Sequence, residues 1–75
     1  MKIVLNGEAR DAPDGITVAD LLSWLDIDAR LVAVELNRTV VKRARYADTP
    51  VTENAEVEIV AFVGGGCLTR KARRS

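Results

Sequence analysis

Apolar and polar residues alternate at the start of the chain. Ile3 and Leu5 fall on one face and Val4 on the other, which predicts a strand over residues 2–6. Asn6-Gly7 follows, a dipeptide that tolerates positive φ and favours a tight hairpin. Residues 8–12 then return as a second, weaker strand with few β-forming residues. Pro13-Asp14-Gly15 marks a turn. The period then changes: Val18, Leu21, Leu22 and Leu25 recur at helical spacing and form one apolar stripe. Thr17 is placed to cap this helix, with Asp20 three residues on in a capping-box position and near the positive end of the helix dipole. Ile16 and Leu21 have the spacing of a hydrophobic staple. The stripe fades around Ile27-Asp28, so a helix of about ten residues is expected.

Beyond the helix, Leu31-Val32-Ala33-Val34-Glu35-Leu36 is a continuous apolar run broken once, the pattern of a central strand. Asn37-Arg38 reads as a turn and Thr39-Val40-Val41 as a short strand. Residues 42–50 are mostly polar and predict a loop or a single helical turn. From Glu56 to Val63 acidic and apolar residues alternate at first, placing Val57 and Ile59 inward and Glu56 and Glu58 toward water. The expected core is Leu21, Leu22, Leu25, Val32, Val34, Leu36, Val57 and Ile59. Trp24 lies slightly off the stripe and is expected to pack partly buried. Strands interrupted by one helix define an α+β domain with a mixed sheet and one helix packed on one face. The order hairpin, helix, buried strand is that of the ubiquitin-like β-grasp fold. The domain is expected to span residues 1–63, followed by a glycine arm over 64–66.

Composition narrows the function more than the fold. With 75 residues, the chain has too small a core to enclose an active site and a substrate pocket as well. It has no histidine and one cysteine, Cys67. That removes the commonest general base, an internal disulfide and most transition-metal ligand sets. A catalyst is therefore not expected, nor is a bound cofactor. No apolar run approaches the length of a membrane span, and the N-terminal residues lack the pattern of a signal peptide, so a cytoplasmic protein is expected. The formal net charge is zero, yet residues 1–66 carry seven basic and eleven acidic side chains, a net −4. Arg70, Lys71, Arg73 and Arg74 supply +4 beyond them. Residues 67–75 are thus a basic tail, expected to lack regular structure and to have a fate of its own. Four charges without an aromatic residue are a weak nucleic-acid signal, and no nucleic-acid partner is expected.

Gly64-Gly65-Gly66 directly follows the last strand. Adjacent glycines end regular structure, and a flexible linker is the plain reading. The alternative is an arm without side chains that threads into the active site of another protein. Across residues 1–66 the chain resembles the ThiS family, the sulfur carriers of thiamin biosynthesis. The resemblance rests on Met1-Lys2-Ile3-Val4-Leu5-Asn6-Gly7, Thr17-Val18-Ala19-Asp20-Leu21-Leu22, and Val32-Ala33-Val34-Glu35-Leu36-Asn37. It continues through Val40-Val41-Lys42-Arg43, Tyr46 and the ending Val57 to Gly66. Two features depart from it. Lys42 stands where the family often has proline, and residues 67–75 extend past the point where relatives usually stop.

The resemblance implies that an E1-like enzyme uses ATP and Mg to adenylate the Gly66 carboxylate. Sulfur then displaces AMP to leave a thiocarboxylate, which thiazole synthase consumes. Gly64 and Gly65 would be the threading arm. Read from the residues themselves, Glu35, Glu56 and Glu58 are solvated strand faces in the plain reading; the alternative is that, with Phe62, they form a partner-binding surface that meets basic groups on the activating enzyme. The Gly66–Cys67 amide blocks adenylation, so the tail would have to be removed, and a trimming metalloprotease has precedent in the family. An altered C-terminus is the competing explanation of the tail. Cys67 has no neighbouring base that would support an acyl shift onto its sulfur. A molybdopterin-type sulfur carrier, a ubiquitin-like protein modifier and a docking module share the same body and remain open at this stage.

Overall fold

A computed structural model describes residues 1–63 and 67–70; from Phe62 onward it is the backbone that is described. The first hairpin joins β1 (Lys2–Leu5) to β2 (Glu8–Asp11), with Leu5 opposite Glu8. Two residues make the connection, Asn6 at φ 48° and Gly7 at φ 84°. This double positive φ matches the right-handed twist of the strands. The Met1 ammonium closes the open end of the hairpin by donating to Ala12 O at 2.6 Å and pairing with Asp14 at 2.8 Å. The hydrogen bond to Asp14 is the main reason its pKa is raised.

Helix α1 runs Val18–Trp24, seven residues rather than about ten. Its start is as expected: Asp20 N donates to Thr17 Oγ1 at 3.2 Å and Thr17 N to Asp20 Oδ2 at 3.0 Å, a reciprocal capping box. Its end comes early because Asp26 enters the left-handed region at φ 62°. Ile27 N then donates to Leu22 O at 2.8 Å and Asp26 N to Ser23 O at 3.0 Å. These are the two bonds of a Schellman cap, made here with aspartate where glycine is usual. A 3₁₀ turn over Ala29–Leu31 follows, capped by Asp28. The Arg30 side chain and backbone donate to the Asp28 carboxylate, which lowers its pKa to about 2.

Strand β3 (Val32–Leu36) leads into β4 (Thr39–Val41) through Asn37 and Arg38, again both at positive φ, 51° and 69°. The polar stretch after it contains a single 3₁₀ turn, Arg43–Arg45. Strand β5 (Glu56–Val63) is antiparallel to β3 and parallel to β1, so the sheet is mixed, in the order β2-β1-β5-β3-β4. A last strand, β6 (Cys67–Arg70), pairs antiparallel with β5. The tail therefore differs from its expectation: its first four residues have regular structure, because β5 offers them an edge to pair with. Residues 71–75 lie outside the described residues.

The core forms where α1 covers one face of the sheet. Ile3, Leu5, Val18, Leu21, Leu22, Val34, Val57 and Ile59 are each at most 1% exposed. Leu25 and Val32 are buried as expected, while Leu36 is only partly buried, being the last residue of β3 before the turn. Tyr46, Val51, Ala55 and Ala12 join the core from loops, where no periodicity marks them. Tyr46 donates its hydroxyl to Val32 O at 3.3 Å, and burial raises its pKa. Trp24 differs from its expectation. At the C-terminal end of α1 it is 43% exposed, and what lies over its ring is the Arg10 guanidinium, 5.7 Å from the centroid.

Candidate functional site

The end of β5 determines where the glycine arm leaves the body. β5 is the central strand of the sheet, and it is aligned by side chains as well as by strands. Asn37 accepts from Glu56 N through Oδ1 at 2.9 Å and donates its own N–H to Glu56 O at 2.7 Å. On the opposite edge Asn6 N donates to Val57 O at 2.8 Å. The Asn6 side chain then brackets Ile59, accepting from its N–H at 2.8 Å and donating to its C=O at 3.2 Å. Each asparagine thus does two things from a single turn. It takes the positive φ that reverses the chain, and its amide imitates the peptide group of a neighbouring strand. These two residues were read from sequence as turn formers, and their role in locating β5 was missed.

The face of the sheet turned away from α1 carries the candidate partner surface. Alternation along β5 sends Val57 and Ile59 into the core and Glu56, Glu58 and Val60 to the other side. Glu35 on β3 lies directly opposite Glu58. Together with Val4, Gly7, Val60 and Arg38, the three glutamates bound a groove of about 420 Å³. Arg38 and Glu56 form an exposed ion pair at 3.4 Å. Such a pair contributes little stability. Beside it, Glu35 and Glu58 face each other across the β3–β5 pair. Glu35 and Glu56 are exposed, whereas Glu58, expected in water, is half-buried. Arg38, Val4 and Gly7 were not anticipated as part of this surface. They come from two hairpin ends that only the strand order brings beside β5. Phe62 lies on the backbone of β5 near its end, and Gly64, Gly65 and Gly66 lie outside the described residues. Among the described residues, no three acidic or cysteine side chains are grouped to hold a metal ion, and no helix is long and apolar enough to cross a membrane.

The family described as the ThiS family matches residues 3–66, from the first strand to the last glycine of the arm. The chain belongs to the ThiS family. ThiS-family proteins are sulfur carriers of thiamin biosynthesis. The sulfur carrier protein ThiS of Bacillus subtilis (strain 168) is 35% identical over 63 residues, which cover 83% of this chain and 96% of that protein. The crystal structure of the thiamine biosynthesis protein ThiS from Geobacter metallireducens superposes with a TM-score of 0.78 at 35% identity, covering 88% of this chain and 100% of that one. That likeness bears out the ubiquitin-like β-grasp fold expected from the order of elements. A thiazole synthase of Paramagnetospirillum magneticum (strain ATCC 700264 / AMB-1) is 47% identical over 66 residues, 88% of this chain. Those residues are 20% of that protein, so the chain spans about a fifth of the length of this longer relative. The family match ends at Gly66, and residues 67–75 fall beyond it.

Proposed function

We propose that this chain carries sulfur to the thiazole ring of thiamin on the C-terminal carboxyl group of Gly66, once the Gly66–Cys67 bond has been cut. The observation that carries this reading is the family match running through the β-grasp body to Gly66. A carboxylate oxygen is a poor leaving group. An E1-like partner would therefore transfer AMP from Mg-ATP to the Gly66 carboxylate and release pyrophosphate. Sulfide then attacks the carbonyl carbon and expels AMP, leaving a thiocarboxylate. Glycine suits the step because it puts no side chain beside the attacked carbon. Chemistry belongs to its partners, and the domain supplies a handle and an arm. Thiazole synthase is the acceptor we favour over a molybdopterin or protein-modification route. A segment 47% identical to this chain lies within a single thiazole synthase polypeptide. Removal of residues 67–75 by a metalloprotease would precede adenylation. The test is intact mass of the protein recovered from its own cells. A species ending at Gly66, with a second about 16 Da heavier for oxygen replaced by sulfur, is the expected result. Recovery of the full 75 residues alone would sink the proposal.

Recognition by the activating partner would use the groove face, with Glu35, Glu56, Glu58 and Phe62 as contacts. Complementary charge acts mainly on encounter rate. The Glu56→Lys/Glu58→Lys double variant, checked for folding by circular dichroism, should associate more slowly with the adenylating enzyme and show a flatter salt dependence. An unchanged association rate at low salt would remove these two residues from the docking surface.

A further inference from the structure

Along one edge of β5 the hydrogen-bonding groups are accounted for residue by residue. Ala55 O accepts from Val4 N at 2.9 Å and Val57 O from Asn6 N at 2.8 Å. Ile59 is bonded on both its N–H and C=O by the Asn6 side chain. There β1 stops, because the chain reverses at Asn6-Gly7. The alternation of a strand turns the next odd residues, Ala61 and Val63, to the same edge. β1 cannot reach them. An open strand edge of this kind is a template for another extended chain. β6 fills it: Thr69 lies opposite Ala61 and Cys67 opposite Val63.

The pairing has a second consequence. Val63 and Cys67 are partners across the two strands, which holds their Cα atoms roughly 5 Å apart. The same four steps of extended chain would separate them by about 13 Å. The two ends of the glycine segment are thus held together, which is the opposite of what threading an arm into a narrow active site requires. The described chain ends at Arg70, opposite Val60, and Val60 borders the acidic groove.

We propose that the outer half of the β5 edge is a strand-docking surface that the chain's own residues 67–70 occupy, so that the uncut chain withholds both this edge and an extended glycine arm from its partners, and that cutting after Gly66 frees the two together. The biological use of this device rests on the reading of Gly66 as the reacting end, but the pairing itself is measured with no partner present.

Amide hydrogen exchange by NMR compares three forms: the full chain, a chain ending at Gly66, and the full chain with Thr69→Pro. Proline at 69 removes the N–H opposite Ala61 while keeping the tail's length and charge. In the full chain the Ala61 amide should be protected. In the other two forms it should exchange at least about tenfold faster, while Val60, which pairs with Ala33 of β3, stays unchanged and reports an intact body. In parallel, proteinase K, which binds its substrates extended, should cut between residues 63 and 70 about tenfold faster in the Thr69→Pro chain than in the full chain. Equal Ala61 exchange in all three forms would overturn the pairing. Unequal exchange with equal cutting rates would overturn the claim that pairing withholds the arm. Neither result depends on adenylation or sulfur transfer, whose failure would show instead in the mass of the recovered protein.

Discussion

Replacing Leu22 by alanine is expected to remove about 2–5 kcal/mol of folding stability, the range for a fully buried leucine whose cavity refills only in part. Leu22 is 1% exposed, on the α1 face that covers β5. A domain of this length has a total stability of roughly 4–11 kcal/mol, so the loss is a large share of the whole. Relaxation is hard at this site. The helix has seven residues, fixed at one end by the Thr17–Asp20 box and at the other by the Schellman bonds, one of which is accepted by the Leu22 carbonyl itself. It cannot slide to fill a void without breaking a cap. Leu31→Ala is the matched control, since Leu31 is 56% exposed and a surface truncation should change stability by less than about 0.5 kcal/mol. Urea unfolding of the two variants beside the parent checks both. A cost below about 1 kcal/mol for Leu22→Ala would mean that the helix stripe is not packed as described.

What could be read in the sequence, and what could not, divides along a physical line. Local signals were legible. Thr17 and Asp20 are three residues apart and satisfy each other's backbone, so their pairing needs nothing from the rest of the fold. Asn6-Gly7 is a turn for reasons internal to two residues. The strands β3 and β5 announced themselves by apolar runs and alternation. The helix length was less legible, since the apolar stripe runs on to Leu25 whereas the helix stops where Asp26 turns left-handed, and an aspartate carries no strong signal for that conformation. Core residues supplied by loops, such as Tyr46 and Val51, have no period to reveal them.

Features that depend on strand order were not legible. The bracket that Asn6 makes on Ile59 spans 53 positions and exists because β1 and β5 happen to be neighbours. The meeting of Arg38 with Glu56 on the groove face has the same origin. β6 is the clearest instance. A run of glycines signals an end to regular structure, and nothing in residues 67–70 themselves announces a strand. What makes them one is a vacancy of backbone partners on β5, a property of an edge created by residues some 60 positions earlier. The candidate site divides in the same way. Its acidic residues were named from alternation, while their grouping into one groove needed the topology.

The uncut chain is expected to be inert toward ATP and an E1-like partner, and a version ending at Gly66 is expected to be adenylated. Adenylation forms a bond between a carboxylate oxygen and the α-phosphorus of ATP and breaks the bond to pyrophosphate. Within residues 64–67 the backbone offers amides, whose nitrogen lone pairs are delocalised into the carbonyl and whose oxygens do not take part in this way. Residues 67–75 follow Gly66, and extended they would run about 30 Å past it. Four of them are basic, whereas the site that receives the arm must hold Mg-ATP. The pairing of residues 67–70 with β5 adds a barrier of its own, because the arm cannot thread until β6 has left its edge. Pyrophosphate exchange into ATP, measured on the two forms with the same adenylating enzyme, separates them: the trimmed form should support exchange and the full chain should show none above background. In the trimmed form Gly66→Ala should lower the rate by about a hundredfold, the order of effect produced by displacing a reacting group by an ångström. The added methyl crowds the carboxylate whose oxygen must reach the α-phosphorus and whose carbon sulfur must then attack. If the uncut chain supports exchange as well as the trimmed one, Gly66 is not the reacting terminus, and the acyl chemistry drawn from it fails.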